Sequence, residues 1–312
     1  MEKRKMTKSK AILYSGYITI AALFWGMIGI FVKGLNEIGF NAMEIVTIRV
    51  MFSCLILFTY GLFQKRDQIS IRVRDVYLFF GTGILSIAFF NWAYFTSMNM
   101  LSISVAVILL YTAPAFVMIM SVMFLKERIT ISKLFLLIMT LFGCFLVTGL
   151  NGDIVGNGNV KGYLIGLGAG FGYALYSIFG KFAIKKYTAF TISLYTFFIA
   201  SIVLIPATRI WTKLDLLLSK KAILLVLGLC VISTVFAYLL YTEGLKVIES
   251  SRASILSTVE PLAAMIIGIV LFDESITILQ LVGGAIIFTS AIVASTNLDF
   301  LFKKYRSNNI SS

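Results

Sequence analysis

Residues 238–277, "YLLYTEGLKVIESSRASILSTVEPLAAMIIGIVLFDESIT", repeat the pattern of residues 91–130, "NWAYFTSMNMLSISVAVILLYTAPAFVMIMSVMFLKERIT", at a shift of 147 (238 against 91). Tyr94 falls on Tyr241, Ala106 on Ala253, Pro114 on Pro261 and Glu127 on Glu274; Ile129 and Thr130 meet Ile276 and Thr277. The first helices match at a shift one residue larger, with "FWGMIGIFVK" (24–33) on "GYALYSIFGK" (172–181). Trp25 then meets Tyr173 and Lys33 meets Lys181. A duplicated unit therefore runs through the whole chain, and both copies are apolar.

Composition identifies the solvent of that unit. The 312 residues are 59% hydrophobic and 13% charged, with a mean hydropathy of +0.96, far more apolar than a soluble domain of this length. A helix needs about 20 apolar residues to cross the hydrocarbon layer. Ten such runs are expected, at 11–34, 41–63, 74–98, 102–125 and 133–149, then at 162–181, 189–208, 222–245, 251–271 and 278–297. The second run of each five is the least regular, because Glu44, Arg49 and Pro206 interrupt it. The fold expected is an all-α integral membrane protein of ten transmembrane helices, arranged as a five-helix repeat at 1–150 and a second at 151–312. An odd number of spans per repeat turns the second upside down, an inverted repeat that suits alternating access around a midplane site.

The basic opening "MEKRKMTKSK" resembles the start of a signal peptide, but the apolar run after it is too long, and it is read as a retained first helix. Most of the 27 Lys and Arg residues fall on the N-terminal side of the membrane, among them Lys3, Arg4, Lys65, Arg72, Lys126, Lys185, Lys246 and Lys303. The opposite side holds Lys33, Lys161, Arg209, Lys213, Lys220 and Lys221, and 209–221 is its one basic join. Positive charge gathers on cytoplasmic loops, so both termini are expected in the cytoplasm of a cell-membrane protein. The net charge of +13 is read as contact with lipid head groups, with no nucleic-acid partner.

No histidine occurs, and Cys54, Cys144 and Cys230 stand apart in apolar runs without metal-ligand spacing. Neither a nucleophile elbow nor a phosphate-binding loop is present. No enzyme activity, metal or cofactor is expected.

Glu260 and Pro261 lie in the middle of a span. An ionised group at the bilayer centre costs about 2.5–3.5 kcal/mol on insertion scales, and a proline leaves the carbonyl four residues earlier without its donor. Pro261 frees Ser257, and Pro114 frees Leu110, at matched depths. Such carbonyls are tolerated against protein or a water-filled cavity. Two readings stand for Glu260: a carboxyl group that binds substrate or a coupling proton, and a structural hydrogen bond between helices. Two stand for Arg49: an anion or acid partner inside the bundle, and a side chain that snorkels to the interface. Glu243, beside Lys246, reads as interfacial. Trp25, Asn91, Tyr94, Tyr111, Tyr176 and Tyr241 are the remaining candidates for the pathway, with Trp92, Tyr173 and Tyr238 as further aromatics; the alternative for each is ordinary packing. Gly162, Gly166 and Gly170 form a small-residue stripe that lets a neighbouring helix approach, and the partner offered in the first helix is Ala22 and Gly26.

The segment from Gly244 to Val293 resembles the second EamA domain of the drug/metabolite transporter superfamily, and that from Ala106 to Val147 resembles the end of a first. The resemblance implies a secondary transporter, commonly an exporter of amino acids, metabolites or drugs, with a central cavity between the halves. It places Pro114 and Pro261 at family proline positions, Glu127 and Glu274 at the acid after the fourth helix of each repeat, and Gly283 at a glycine of the tenth helix. The chain departs from it at Leu136 or Leu137, where the first repeat carries the corresponding glycine, and at Ala113, opposite Glu260. The partners expected are the bilayer, a small-molecule substrate and, as options, a coupling proton and a second copy in a homodimer. A passive channel or facilitator is the alternative, and a membrane-embedded enzyme a more distant one.

Overall fold

The computed structural model describes residues 8–148 and 159–296, and within them ten helices are long and apolar enough to cross a membrane. They are α1 (Ser9–Ile38), α2 (Ala42–Gln64), α3 (Val73–Met100), α4 (Ile103–Leu125) and α5 (Ile131–Thr148), then α6 (Val160–Ala183), α7 (Ala189–Thr208), α8 (Lys220–Gly244), α9 (Ser250–Phe272) and α10 (Ile278–Ser295). Lys3, Arg4, Lys5, the join at 150–158 and the tail with Lys303, Lys304 and Arg306 lie outside the described residues.

The irregular second spans have a local explanation. Glu44 starts α2 and does not interrupt it: its backbone N–H donates to Asn41 Oδ1 at 2.9 Å, and its carboxylate accepts from Asn41 N at 2.7 Å. This is a capping box, which satisfies two otherwise orphaned donors. Thr188 caps α7 at the matched position, accepting from Thr191 N. Pro206 falls in the last turn of α7, so little helix follows it to be displaced. Two of the four bases in the basic join after α7 are paired with acids of the first half: Lys213 with Glu44 at 2.7 Å and Lys221 with Glu37 at 3.1 Å.

The sequence repeat is also a backbone repeat. Lys126 and Asp273, each just beyond α4 and α9, adopt left-handed conformations with φ of 57° and 52°. The next residue then closes the same turn, Glu127 N to Ser121 O at 3.1 Å and Glu274 N to Gly268 O at 3.2 Å. Thr130 and Thr277 cap α5 and α10 in the same way. Both α3 and α8 contain a π-helical stretch, Gly81–Ala88 and Val231–Phe236, which overlap under the repeat shift.

The two five-helix halves interlock. Helix α1 of the first half packs on α8 and α9, α6 of the second packs on α3 and α4, and the pairs α2–α7 and α5–α10 complete the contact. Each half thus seats its first helix in the other. Small residues permit the closest approaches: a Cβ on Gly26 would stand 2.6 Å from Ala263 Cβ and 2.9 Å from Glu260 O, and one on Gly283 would stand 2.7 Å from Gly143 O. The stripe on α6 does not pack on α1. Gly162 faces Met100 and Leu101, Gly166 faces Ser97 and Leu109, and Gly170 faces Thr112 and the Leu109 carbonyl. Ala22 is related to Gly170 by the repeat and not by contact.

Candidate functional site

Both prolines sit at breaks. Helix α4 is divided into Ile103–Leu110 and Ala113–Leu125, and α9 into Ser250–Ser257 and Val259–Phe272. At each break a threonine hydroxyl turns back onto its own helix, Thr112 Oγ1 to Leu109 O and Thr258 Oγ1 to Ile255 O, both at 2.6 Å. Between the two breaks lies a cavity of ≈ 10 Å³, bounded by Leu110, Tyr111, Ala113 and Pro114 from α4, Ser257, Thr258 and Glu260 from α9, and Tyr173 from α6. Leu110 and Ser257, Tyr111 and Thr258, and Ala113 and Glu260 are repeat-related pairs. The cavity therefore sits on the pseudo-two-fold axis, and its one carboxyl group comes from one half alone. Its volume suits about one water.

A second cavity of ≈ 20 Å³ adjoins the first through Tyr173 and is bounded by Trp25, Ser86, Phe90, Tyr176, Ser177, Tyr238 and Tyr241. Trp25 holds its ring centroid 5.1 Å from Tyr241, 5.3 Å from Tyr238 and 6.4 Å from Tyr173. Such pairs contribute about 0.5–1.5 kcal/mol each beyond their buried area. The buried hydroxyls are satisfied across helices: Tyr176 bonds to Thr242 at 2.7 Å and Tyr241 to Ser177 at 2.6 Å. Tyr173 donates to Glu260 Oε2 at 3.4 Å, a long bond that links the aromatic box to the carboxyl group.

Of the candidates read from the sequence, Glu260, Tyr111 and Pro114 line the first cavity and Trp25, Tyr176 and Tyr241 the second. Pro261 is buried immediately behind Glu260. Tyr94 stacks on Phe90 at 6.2 Å, one layer out. Asn91 is buried, but its Nδ2 donates to Ile87 O at 2.8 Å, closing a carbonyl in the π-helical part of α3, so it stands apart from both cavities. Arg49 does not snorkel: it is 8% exposed, lies beside Tyr238, and its Nε has no hydrogen-bond partner among the described residues. Trp92 is 49% exposed on the outside of the bundle and lines neither cavity. Glu243 pairs with Lys246 at 2.6 Å. Ser86, Phe90, Ser177 and Thr258 line the cavities without having been singled out by sequence, and Ser257 was named only for its freed carbonyl. Position next to a proline break was the available signal for Ser257 and Thr258. Among the described residues no three Cys, Asp or Glu side chains converge as a metal site would require.

The sequence profile of the EamA-like transporter family matches residues 13–149 and 160–296, a copy in each half. An uncharacterized transporter of Archaeoglobus fulgidus is 27% identical over 281 residues, covering 89% of this chain and 94% of its own. The uncharacterized transporter YwfM of Bacillus subtilis is 27% identical, with 92% and 95% covered. The uncharacterized inner membrane transporter YicL of Salmonella typhimurium is 24% identical, with 89% and 93% covered. A protein of known crystal structure shares the fold at a TM-score of 0.76 and 16% identity, over 92% of this chain and 96% of its own. With both repeats matched and the relatives covered nearly end to end, the chain is a multi-pass membrane transporter and belongs to the EamA-like transporter family.

Proposed function

We propose that this transporter is a secondary exporter of a small organic metabolite, amino acid or drug, working by alternating access between the halves 1–150 and 151–312, with both termini in the cytoplasm. The observation that carries the reading is the half-buried Glu260 carboxyl at the meeting of two repeat-related helix breaks, beside an aromatic box. The carboxyl group takes a proton or a cationic part of the solute. The box takes apolar surface, and Arg49, whose charge reaches Glu260 and Tyr238, supplies the positive end of the site. Closed packing of Trp25, Tyr173, Tyr176, Tyr238 and Tyr241 favours a carrier that opens one face at a time over a passive channel. Cavities of about one water each must widen before an organic solute fits, which agrees with a mechanism in which the halves move.

Flux is the test. The purified protein in vesicles, loaded with solutes identified by comparing the export of cells with and without it, should show saturable counterflow. Flux that rises linearly with concentration and shows no counterflow would replace the carrier by a facilitating pore.

A further inference from the structure

The two faces of the repeat are in different states. Beyond the end of α4 the Glu127 carboxylate crosses to the other half and caps the start of α9, accepting from Ser250 N at 2.7 Å, Ser251 N at 3.2 Å and Ser251 Oγ at 2.6 Å. Glu249, the N-cap residue of α9, makes no capping bond with its own side chain and pairs with Lys133 of the first half at 2.8 Å. Three donors on α9 and one acid are thus held by two residues of the opposite half.

The same shift of 147 that relates Glu127 to Glu274 relates Ser250 to Ile103 and Ser251 to Ser104. The acid, the helix start and the serine hydroxyl are all present on the other face, but the contact is not made: α4 is capped from its own N-cap residue, Ser102 Oγ accepting from Val105 N at 3.3 Å. Glu274 is exposed and its carboxyl group turns back against Gly268 of its own helix, while Ile103 is 64% exposed. A second pair of matched residues shows the same asymmetry. Lys181 donates to the Leu245 and Ile248 carbonyls, whereas Lys33 leaves the matched carbonyls of Met98 and Leu101 and rests 3.8 Å over the Phe272 ring.

We propose that Glu127 with Ser250 and Ser251, and Glu274 with Ile103 and Ser104, are two mutually exclusive latches of the transport cycle. The structure has the first latch closed and the second open. Each acid crosses between halves to a helix start, where backbone donors and the positive end of the dipole favour a carboxylate. Rocking one half on the other brings one acid to its helix as it withdraws the other. The sequence also sets which state rests: Lys133 and Glu249 become Gln280 and Ser102 on the second face, so the Glu127 face alone has an ion pair behind its latch. Closed latches mark a closed face, which on the proposed orientation makes the resting protein closed to the cytoplasm.

This inference rests on the alternating-access reading, and its test reads contact and not flux, so the two fail separately. In full-length protein in vesicles, Ser104→Cys with Glu274→Cys reports the open latch through a short bifunctional thiol reagent, with the native cysteines kept and cross-linked peptides read by mass spectrometry. A small cross-linked fraction is expected, rising roughly ten-fold when Glu127→Gln and Lys133→Gln remove the charge-assisted bonds of the opposite latch. A quadruple variant that adds Glu127→Cys and Ser251→Cys measures exclusion without depending on those two substitutions: each molecule should carry one cross-link or the other. Absence of the Ser104–Glu274 product in every background would overturn the proposal. So would a high yield of molecules carrying both.

Discussion

Glu260 has one repeat counterpart, Ala113, and both border the same small cavity, so a carboxyl group enters the axis from the second half only. A carboxyl group there changes its charge with a proton or balances a cation, while an amide of the same shape keeps the Tyr173 hydrogen bond and does neither. Glu260→Gln is therefore expected to insert and fold normally and to lose flux by roughly ten-fold or more, or to lose its pH dependence between about pH 5.5 and 8. Vesicle transport across that range, with the elution profile as the control for folding, decides it, and a wild-type rate and profile would leave Glu260 as a structural bond. Arg49→Gln should lower flux without loss of folded protein, because the Nε makes no hydrogen bond for the change to break and the glutamine amide keeps a donor for the Tyr238 hydroxyl that Arg49 hydrogen-bonds. A fall in expression with unchanged specific flux would make Arg49 structural. At this scale the charged residues were legible, since an acid or base inside an apolar run has few neutral explanations. The hydroxyls of Ser257 and Thr258 were not, beyond their place next to a proline break, because serine and threonine in membrane helices commonly bond back to their own carbonyls and carry no cost that marks them.

Helices α4 and α9 owe their breaks to Pro114 and Pro261, each of which leaves a carbonyl at Leu110 or Ser257 without its helical donor. Restoring the donor with Pro261→Ala should stiffen α9 and slow exchange between the two open forms more than it weakens binding. Counterflow rate against solute affinity in the same preparation measures the difference, and equal exchange in both proteins would reduce the proline to an inherited bend. Helix α6 meets α4 at the break itself: a Cβ on Gly170 would stand 2.7 Å from Thr112 Oγ1 and 2.8 Å from the Leu109 carbonyl. Gly170→Leu is expected to cost about 1–3 kcal/mol of overpacking and to reduce folded protein or freeze transport. Normal yield with normal flux would remove the stripe from the mechanism. Prolines and the glycine stripe announced these features in one dimension, but the stripe's partner was misread. Small residues on α1 and α6 are alike because the helices are duplicates, and likeness of pattern does not say which surfaces touch. The π-helical stretches of α3 and α8 have no residue signal of that kind, since their extra residue is accommodated by packing against α6, α7, α1 and α2.

The ten spans were legible almost to their ends, because run length and hydropathy are sufficient when the solvent is lipid; the 147-residue shift gave the duplication, and five spans per copy gave the inversion. What no one-dimensional pattern carried is the interlock, with α1 seated on α8 and α9 and α6 on α3 and α4, since contact order between apolar helices leaves no charge or spacing mark. On the proposed mechanism, interlocked halves around an axial site exchange between two related packings of nearly the same contacts and so expose one site to two sides in turn. The proposed orientation is checked by a membrane-impermeant thiol reagent on intact cells: Lys185→Cys should be protected, and Lys221→Cys should react. The central claim, that solute crosses by way of Glu260 between the two halves, is tested most directly by a metabolite-wide comparison of the medium around three matched cultures. One makes the wild-type protein, one makes Glu260→Gln at the same membrane level, and one makes neither. The account predicts one or a few small organic solutes enriched outside the first culture and at background in the other two. Equal enrichment with wild type and Glu260→Gln would contradict it.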